Sequence, residues 1–211
     1  AVDPGAMPAS VVSAARVGYA TLFQRGLREA GGVLVSGEKT PSYWRFRGTA
    51  TRLAAVAPGA KLLMLLRDPA EWIKSRWAQG KGLDGEAFTR AFNDALDDPN
   101  MPLYALCKDL PYGIADWLEH FPREALHVEL TNALSDEPLE VMRRVEAHIG
   151  IMPHNYTAEA LGMHRNAHAP DGPDLLDAAA RAKVRKVCEP YVVATEQLLG
   201  MPLREKFGWE L

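Results

Sequence analysis

The chain is short of cysteine, of net charge and of long apolar runs, and each shortage narrows what it can be. Two cysteines, Cys107 and Cys188, occur in 211 residues. They sit in helical patterns far apart in sequence, which allows one disulfide and requires none, and buried free thiols are the expected state. No apolar run approaches the ~20 residues that span a bilayer, and the first residues lack a charged-then-apolar leader pattern. The formal net charge is −3 and the sequence pI about 6.1, so the overall basic footprint that phosphate-backbone binding needs is missing, which argues against a nucleic-acid partner. Internal repeats, low-complexity runs and convincing linkers are absent too.

What remains is a chain that is 47% hydrophobic and 24% charged, of a size to bury one good core, so a single domain over residues 1–211 is expected. Residues 1–7 (AVDPGAM) carry neither helical nor strand period and read as a tail. Charge is unevenly placed: from Lys39 to Lys81 nine Lys or Arg stand against two acids, Asp68 and Glu71, leaving the rest near −10. A local basic field of that kind suits an anionic ligand. Asn155-Tyr156-Thr157 is a glycosylation sequon, which keeps a secretory location open.

Periodicity places the elements. Val12, Ala15, Tyr19, Leu22, Phe23 and Leu27 give a helix over residues 9–30, stopped by Gly31-Gly32. Val33 to Val35 reads as a short strand, residues 49–57 as a helix, and Leu62 to Leu66 as a buried strand. Pro69 suits a helix first turn. A helix from Asp84 to Leu96 ends at Asp97-Asp98-Pro99-Asn100. Ile114, Trp117, Leu118 and Phe121 follow a helical stripe and belong to the core. Leu126 to Leu130 is the next strand, followed by a helix burying Leu139, Met142, Val145 and Ile149. A helix from Leu175 buries Val184, Val187, Tyr191 and Leu198, with a kink expected at Pro190. Alternating strands and helices predict an α/β fold with a mostly parallel, covered sheet.

The stretch from Lys61 to Trp77, KLLMLLRDPAEWIKSRW, is the most informative. A strand-length apolar run stops at Arg67, turns through Asp68-Pro69, and re-emerges as a helix with Ser75 two turns in. A guanidinium at a strand end and a hydroxyl on the next helix make an oxyanion grip, and ligands of open α/β sheets collect at the carboxyl ends of strands.

The Arg67-to-Ser75 spacing, preceded by Gly37-Glu38-Lys39-Thr40-Pro41-Ser42-Tyr43, resembles the sulfotransferases that use 3'-phosphoadenosine-5'-phosphosulfate (PAPS), especially the heparan-sulfate-type and related bacterial branch. Tyr112, Trp117, Phe121 and Pro122, and the terminal Phe207-Gly208-Trp209, extend the resemblance over roughly residues 37–211. It implies the P-loop NTPase-like sulfotransferase fold and transfer of a sulfuryl group from PAPS to a hydroxyl or amine of a carbohydrate or small-molecule acceptor, with no metal. Arg67 and Ser75 match the positions that hold the donor 3'-phosphate. Lys39 matches a lysine near the reacting groups, with a plain surface lysine as the alternative. Arg165, in His164-Arg165-Asn166-Ala167-His168, falls where the family has a basic loop over the donor. Asp68 and Pro69 are expected to shape the turn, Glu38 to pair with Lys39 in preference to serving as a base, and Trp44 to line the acceptor mouth or cap the core.

The chain also departs from the family. Residues 1–36 contain no strand, glycine- and lysine-bearing loop and helix of the kind that cradles the 5'-phosphosulfate, and Leu130-Thr131-Asn132-Ala133 replaces an acidic pair. Three accounts follow: an upstream part lies outside the given sequence, the cradle comes from elsewhere in an assembly, or the domain binds nucleotide without turnover. A noncatalytic nucleotide-binding or interaction module is therefore the alternative function, and a P-loop kinase relative a third. His164 and His168 lack the partners of a tetrahedral metal site. A cytoplasmic location is expected, or the Golgi lumen if an anchor precedes the chain.

Overall fold

The computed structural model describes residues 8–29, 35–80, 85–162 and 176–209. In chain order its elements are α1 (Ala9–Glu29), α2 (Thr49–Val56), β1 (Leu62–Leu66), α3 (Pro69–Gly80), α4 (Gly85–Leu96), α5 (Ala105–His120), β2 (Leu126–Leu130), α6 (Thr131–Asp136), α7 (Pro138–Ile149), α8 (Ala158–Leu161), α9 (Ala178–Leu199) and α10 (Leu203–Lys206). Contacts divide the chain into two compact units, one of Ala1–Leu66 with Ala115–Leu161, the other of Arg67–Ile114 with Gly162–Leu211. The result is a mainly helical α/β structure. Its sheet among the described residues has two strands, smaller than the sheet the sequence predicts. Of the strand expected at 33–35, residues 33 and 34 lie outside the described residues, and Val35 is not in a strand.

In the first unit β1 and β2 run parallel, with Leu62 opposite Leu126 and Leu66 opposite Leu130. Both strands have the bounds the sequence predicts. Parallel pairing buries β2 almost throughout, whereas Leu63 and Leu65 of β1 remain 53% exposed. A core of Ala50, Trp117, Phe121 and Ala125 forms beside the sheet, with Tyr43, Trp44, Leu53 and Leu62 packed on it. The Trp117 and Phe121 rings stack at 5.7 Å, and burying a side chain such as Phe121 contributes roughly 1.5–3 kcal/mol. Trp44 thus caps the core.

The α7 helix differs from its predicted stripe. Leu139 is exposed, and the fully buried residues are Val141 and Glu146. Glu146 is tolerated there because three donors converge on its carboxylate: Nη1 of Arg143 at 2.8 Å, the backbone N–H of His154 at 2.8 Å and the Tyr156 hydroxyl at 2.9 Å. Burial pushes the Glu146 carboxyl up, and these donors bring it below the ordinary carboxylate range. A core-forming acid is invisible to a hydrophobicity count. Gly150 then ends the helix in the left-handed region at φ 78°, a conformation that suits glycine at this position.

The second unit is organised on α9, which packs against α3, α4 and α10. Asp177 caps it, accepting the Ala180 N–H at 2.7 Å, and the helix runs through Pro190. Its buried stripe is Val184, Cys188, Val192, Thr195 and Leu199. Val184 matches the periodicity; Val187, Tyr191 and Leu198 are half-buried instead. The register slips because Cys188 faces inward to meet Cys107. The two form a disulfide with Cα atoms 5.8 Å apart, correcting the expectation of free thiols: helical patterning cannot see a pairing across 81 residues. Tyr104, fully buried, donates its hydroxyl to the Leu96 carbonyl at 3.0 Å, and burial beside Asp97 pushes its phenol up to about 12.

Two measurements follow. Reducing the Cys107–Cys188 bridge, or replacing both cysteines with serine, frees a long loop in the unfolded chain and is expected to cost roughly 2–5 kcal/mol in denaturant unfolding. In the first unit His148 stacks on His127 at 5.1 Å and contacts the Ala125 carbonyl through Nε2 at 3.1 Å. Burial first, then the charges of His127 and Lys61, hold its pKa below the ordinary 6.5. A depressed folded pKa means the unfolded chain binds more protons, so this stabilisation is present above 6.5 and lost as pH falls through the folded value. Unfolding midpoints should therefore drop as pH falls below about 6.5, and less steeply in His148→Gln.

Candidate functional site

The site is built outward from the turn after β1. Thr131, the first residue after β2, donates its hydroxyl to the Leu66 carbonyl at 2.8 Å and so fixes the end of β1. The chain then enters the second unit at Arg67. Asp68 shapes the turn, as its sequence position suggests: its Oδ1 accepts the Ala70 N–H at 2.6 Å and the Glu71 N–H at 3.3 Å, satisfying donors of the α3 first turn. Its Oδ2 accepts the indole N–H of buried Trp209 at 2.6 Å. The terminal aromatic and the α3 cap are one construction.

Glu71, one turn into α3, gathers three cations. Its Oε1 accepts Nη2 of Arg181, from α9, at 2.7 Å. Its Oε2 lies 3.7 Å from Nη2 of Arg67 and 3.5 Å from Nζ of Lys74. Burial pushes the Glu71 carboxyl up, but the Arg181 hydrogen bond and the charges of Lys74, Arg181 and Arg67 hold it below the ordinary carboxylate range. Three cations thus share one carboxylate, and the side chains of Arg67, Lys74 and Arg181 are 38, 32 and 37% exposed. The arrangement can take an anion from solvent.

Ser75 is half-buried on α3. Residues 71, 74 and 75 share one helix face by their i, i+3, i+4 spacing, so the Ser75 hydroxyl stands on the side of the helix that carries Glu71 and Lys74. It takes no hydrogen-bond partner among the described residues. Lys39 belongs to the first unit and is exposed. Glu38 forms no described ion pair with Lys39. It accepts long hydrogen bonds from the hydroxyls of Tyr19 at 3.4 Å, Thr40 at 3.3 Å and Tyr43 at 3.4 Å, because hydroxyls from α1 and from its own loop converge there. Arg165, His164 and His168 lie outside the described residues.

The residues that patterning missed are Glu71 and Arg181. Glu71 had a legible signal, four residues after Arg67 and in the α3 first turn. Arg181 had none, since 110 residues separate it from Glu71. Elsewhere in the second unit, an open cleft of about 520 Å³ is bordered by Glu196, Met201, Arg204 and Trp209, and neither Arg67 nor Ser75 lines it. In the first unit Asp116, Glu119 and His120 bring ligand atoms within 4.8 Å of one another, with the His120 ring already 2.9 Å from the Thr51 hydroxyl. No helix among the described residues is long and apolar enough to cross a membrane.

No family model and no curated protein matches the chain. Among solved structures it is similar to a sulfotransferase from Alicyclobacillus acidocaldarius, with a TM-score of 0.55 and 20% sequence identity. The match covers 76% of this chain and 62% of the other, so the chain spans less than two thirds of that protein's length. At this identity the likeness is one of fold: the mainly helical α/β arrangement described above is similar to that of a bacterial sulfotransferase.

Proposed function

We propose that the chain binds PAPS and takes part in transferring its sulfuryl group to an acceptor hydroxyl or amine of a carbohydrate or small molecule. The observation that carries this reading is the cationic cluster of Arg67, Lys74 and Arg181 beside the Ser75 face of α3, in a fold similar to that of a sulfotransferase. The donor set fits a phosphate group, because guanidinium and ammonium groups with a neighbouring hydroxyl match its charge and its acceptor oxygens. PAPS, when bound, supplies the sulfuryl group that is transferred. Arg67 and Ser75 are assigned to its 3'-phosphate, and Arg165 to closing the donor site on the strength of the resemblance.

Lys39 is assigned to the reacting groups on the same ground, where an ammonium stabilises negative charge that develops on the leaving phosphate. Its exposed side chain is compatible with that part. The Cys107–Cys188 bridge favours an oxidising compartment over the cytosol.

Calorimetry with 3'-phosphoadenosine 5'-phosphate (PAP) and adenosine 5'-phosphate tests the assignment. PAP is expected to bind the tighter, with Arg67→Ala weakening it by about 10–100-fold and Ser75→Ala by about 3–10-fold, while adenosine 5'-phosphate is little affected. Binding without sulfate transfer in an acceptor screen favours the noncatalytic module, and indifference to the 3'-phosphate contradicts the reading.

A further inference from the structure

We infer that Arg181 is a positioning residue that holds Glu71 back from Arg67 and so keeps the Arg67 guanidinium open to a phosphate. The inference rests on the donor reading above and adds to it a residue from α9 that neither the motif nor the resemblance contains.

Glu71, four residues after Arg67 and in the first turn of α3, is the acid that pairs with it, and a carboxylate there competes with any ligand phosphate for the guanidinium fork. The contact is nevertheless loose. Arg67 Nη2 stands 3.7 Å from Oε2 of Glu71, beyond hydrogen-bond reach. The other oxygen, Oε1, is taken by Arg181 at 2.7 Å, and Lys74 shares Oε2 at 3.5 Å. A bidentate Arg67–Glu71 pair needs both oxygens, and Arg181 occupies one of them. Arg181 is in turn anchored by its helix: Asp177 caps α9 four residues earlier, and α9 packs against α3.

Three charges held by one carboxylate also explain why Glu71 is present in a site meant for anions. Without it, Arg67, Lys74 and Arg181 would repel one another across the α3–α9 contact. Glu71 thus works as an internal counter-ion, and Arg181 decides which of its oxygens faces Arg67.

Removing Arg181 lets Glu71 turn both oxygens toward Arg67. Removing the Glu71 charge abolishes the competitor. The two changes should therefore compensate, which neither a direct Arg181–phosphate contact nor a merely structural role would give.

The test measures PAP and adenosine 5'-phosphate affinities by calorimetry in the full chain, in Arg181→Ala, in Glu71→Gln and in the double variant. Arg181→Ala is expected to weaken PAP binding by about fivefold or more while changing adenosine 5'-phosphate by less than about twofold. The double variant should return to within about twofold of Glu71→Gln alone. An unchanged preference for the 3'-phosphate in Arg181→Ala overturns the inference, as does an equal loss for both nucleotides or a failure of Glu71→Gln to rescue. If the unaltered chain itself shows no such preference, the donor reading falls first and this inference falls with it.

Discussion

Both oxygens of Asp68 are in use, and the geometry of the second unit follows from that. Oδ1 closes the first turn of α3, and Oδ2 holds the indole of Trp209 from 141 residues away. Around the indole the chain is fastened again: Arg185 lies over the Trp209 ring at 5.7 Å and donates to the Gly208 carbonyl at 2.9 Å. Gly208, at φ 67°, supplies the left-handed turn that brings Trp209 inward. The start of α3 is thus fixed from the sequence side by the cap and from the tertiary side by the C-terminal segment. Arg67 precedes this point by one residue, and Glu71 and Ser75 follow at one and two turns.

Electrostatics then determines what the α3 face does. A lone arginine at a strand end is an ordinary surface charge, worth little to stability when paired in water. Here one half-buried carboxylate is shared by Arg181, Lys74 and Arg67, at 2.7, 3.5 and 3.7 Å. Like charges gathered near one acid repel one another. Under the function proposed above, the cluster is an anion site at rest, with Glu71 in the place that a ligand's negative charge shares when it arrives. On the proposed reading that ligand is the 3'-phosphate of the sulfate donor.

How much of this was legible depends on the range of the interaction. β1 and β2 are readable to the residue because β1 is a five-residue apolar run stopped by Arg67, while β2 alternates Leu126, Val128 and Leu130 with His127 and Glu129 and stops at Thr131, and α3 announces itself through Asp68-Pro69. The buried stripes of α7 and α9 were misplaced for two reasons. Glu146 is a core residue only because Arg143, His154 and Tyr156 gather around it, and Cys188 turns inward because Cys107 awaits it. Both depend on partners that periodicity does not weigh. At the candidate site, Arg67 and Ser75 could be singled out from local spacing. Glu71 reads in the sequence only as one of two acids in a basic window, and Arg181 and Trp209 join the site only through tertiary contacts.

The most direct measurement is a crystal structure of the chain with 3'-phosphoadenosine 5'-phosphate bound. The account predicts the 3'-phosphate within hydrogen-bond distance of the Arg67 guanidinium and the Ser75 hydroxyl, with Arg181 still on Glu71. A nucleotide seated away from α3, or a phosphate contacting neither side chain, would contradict it.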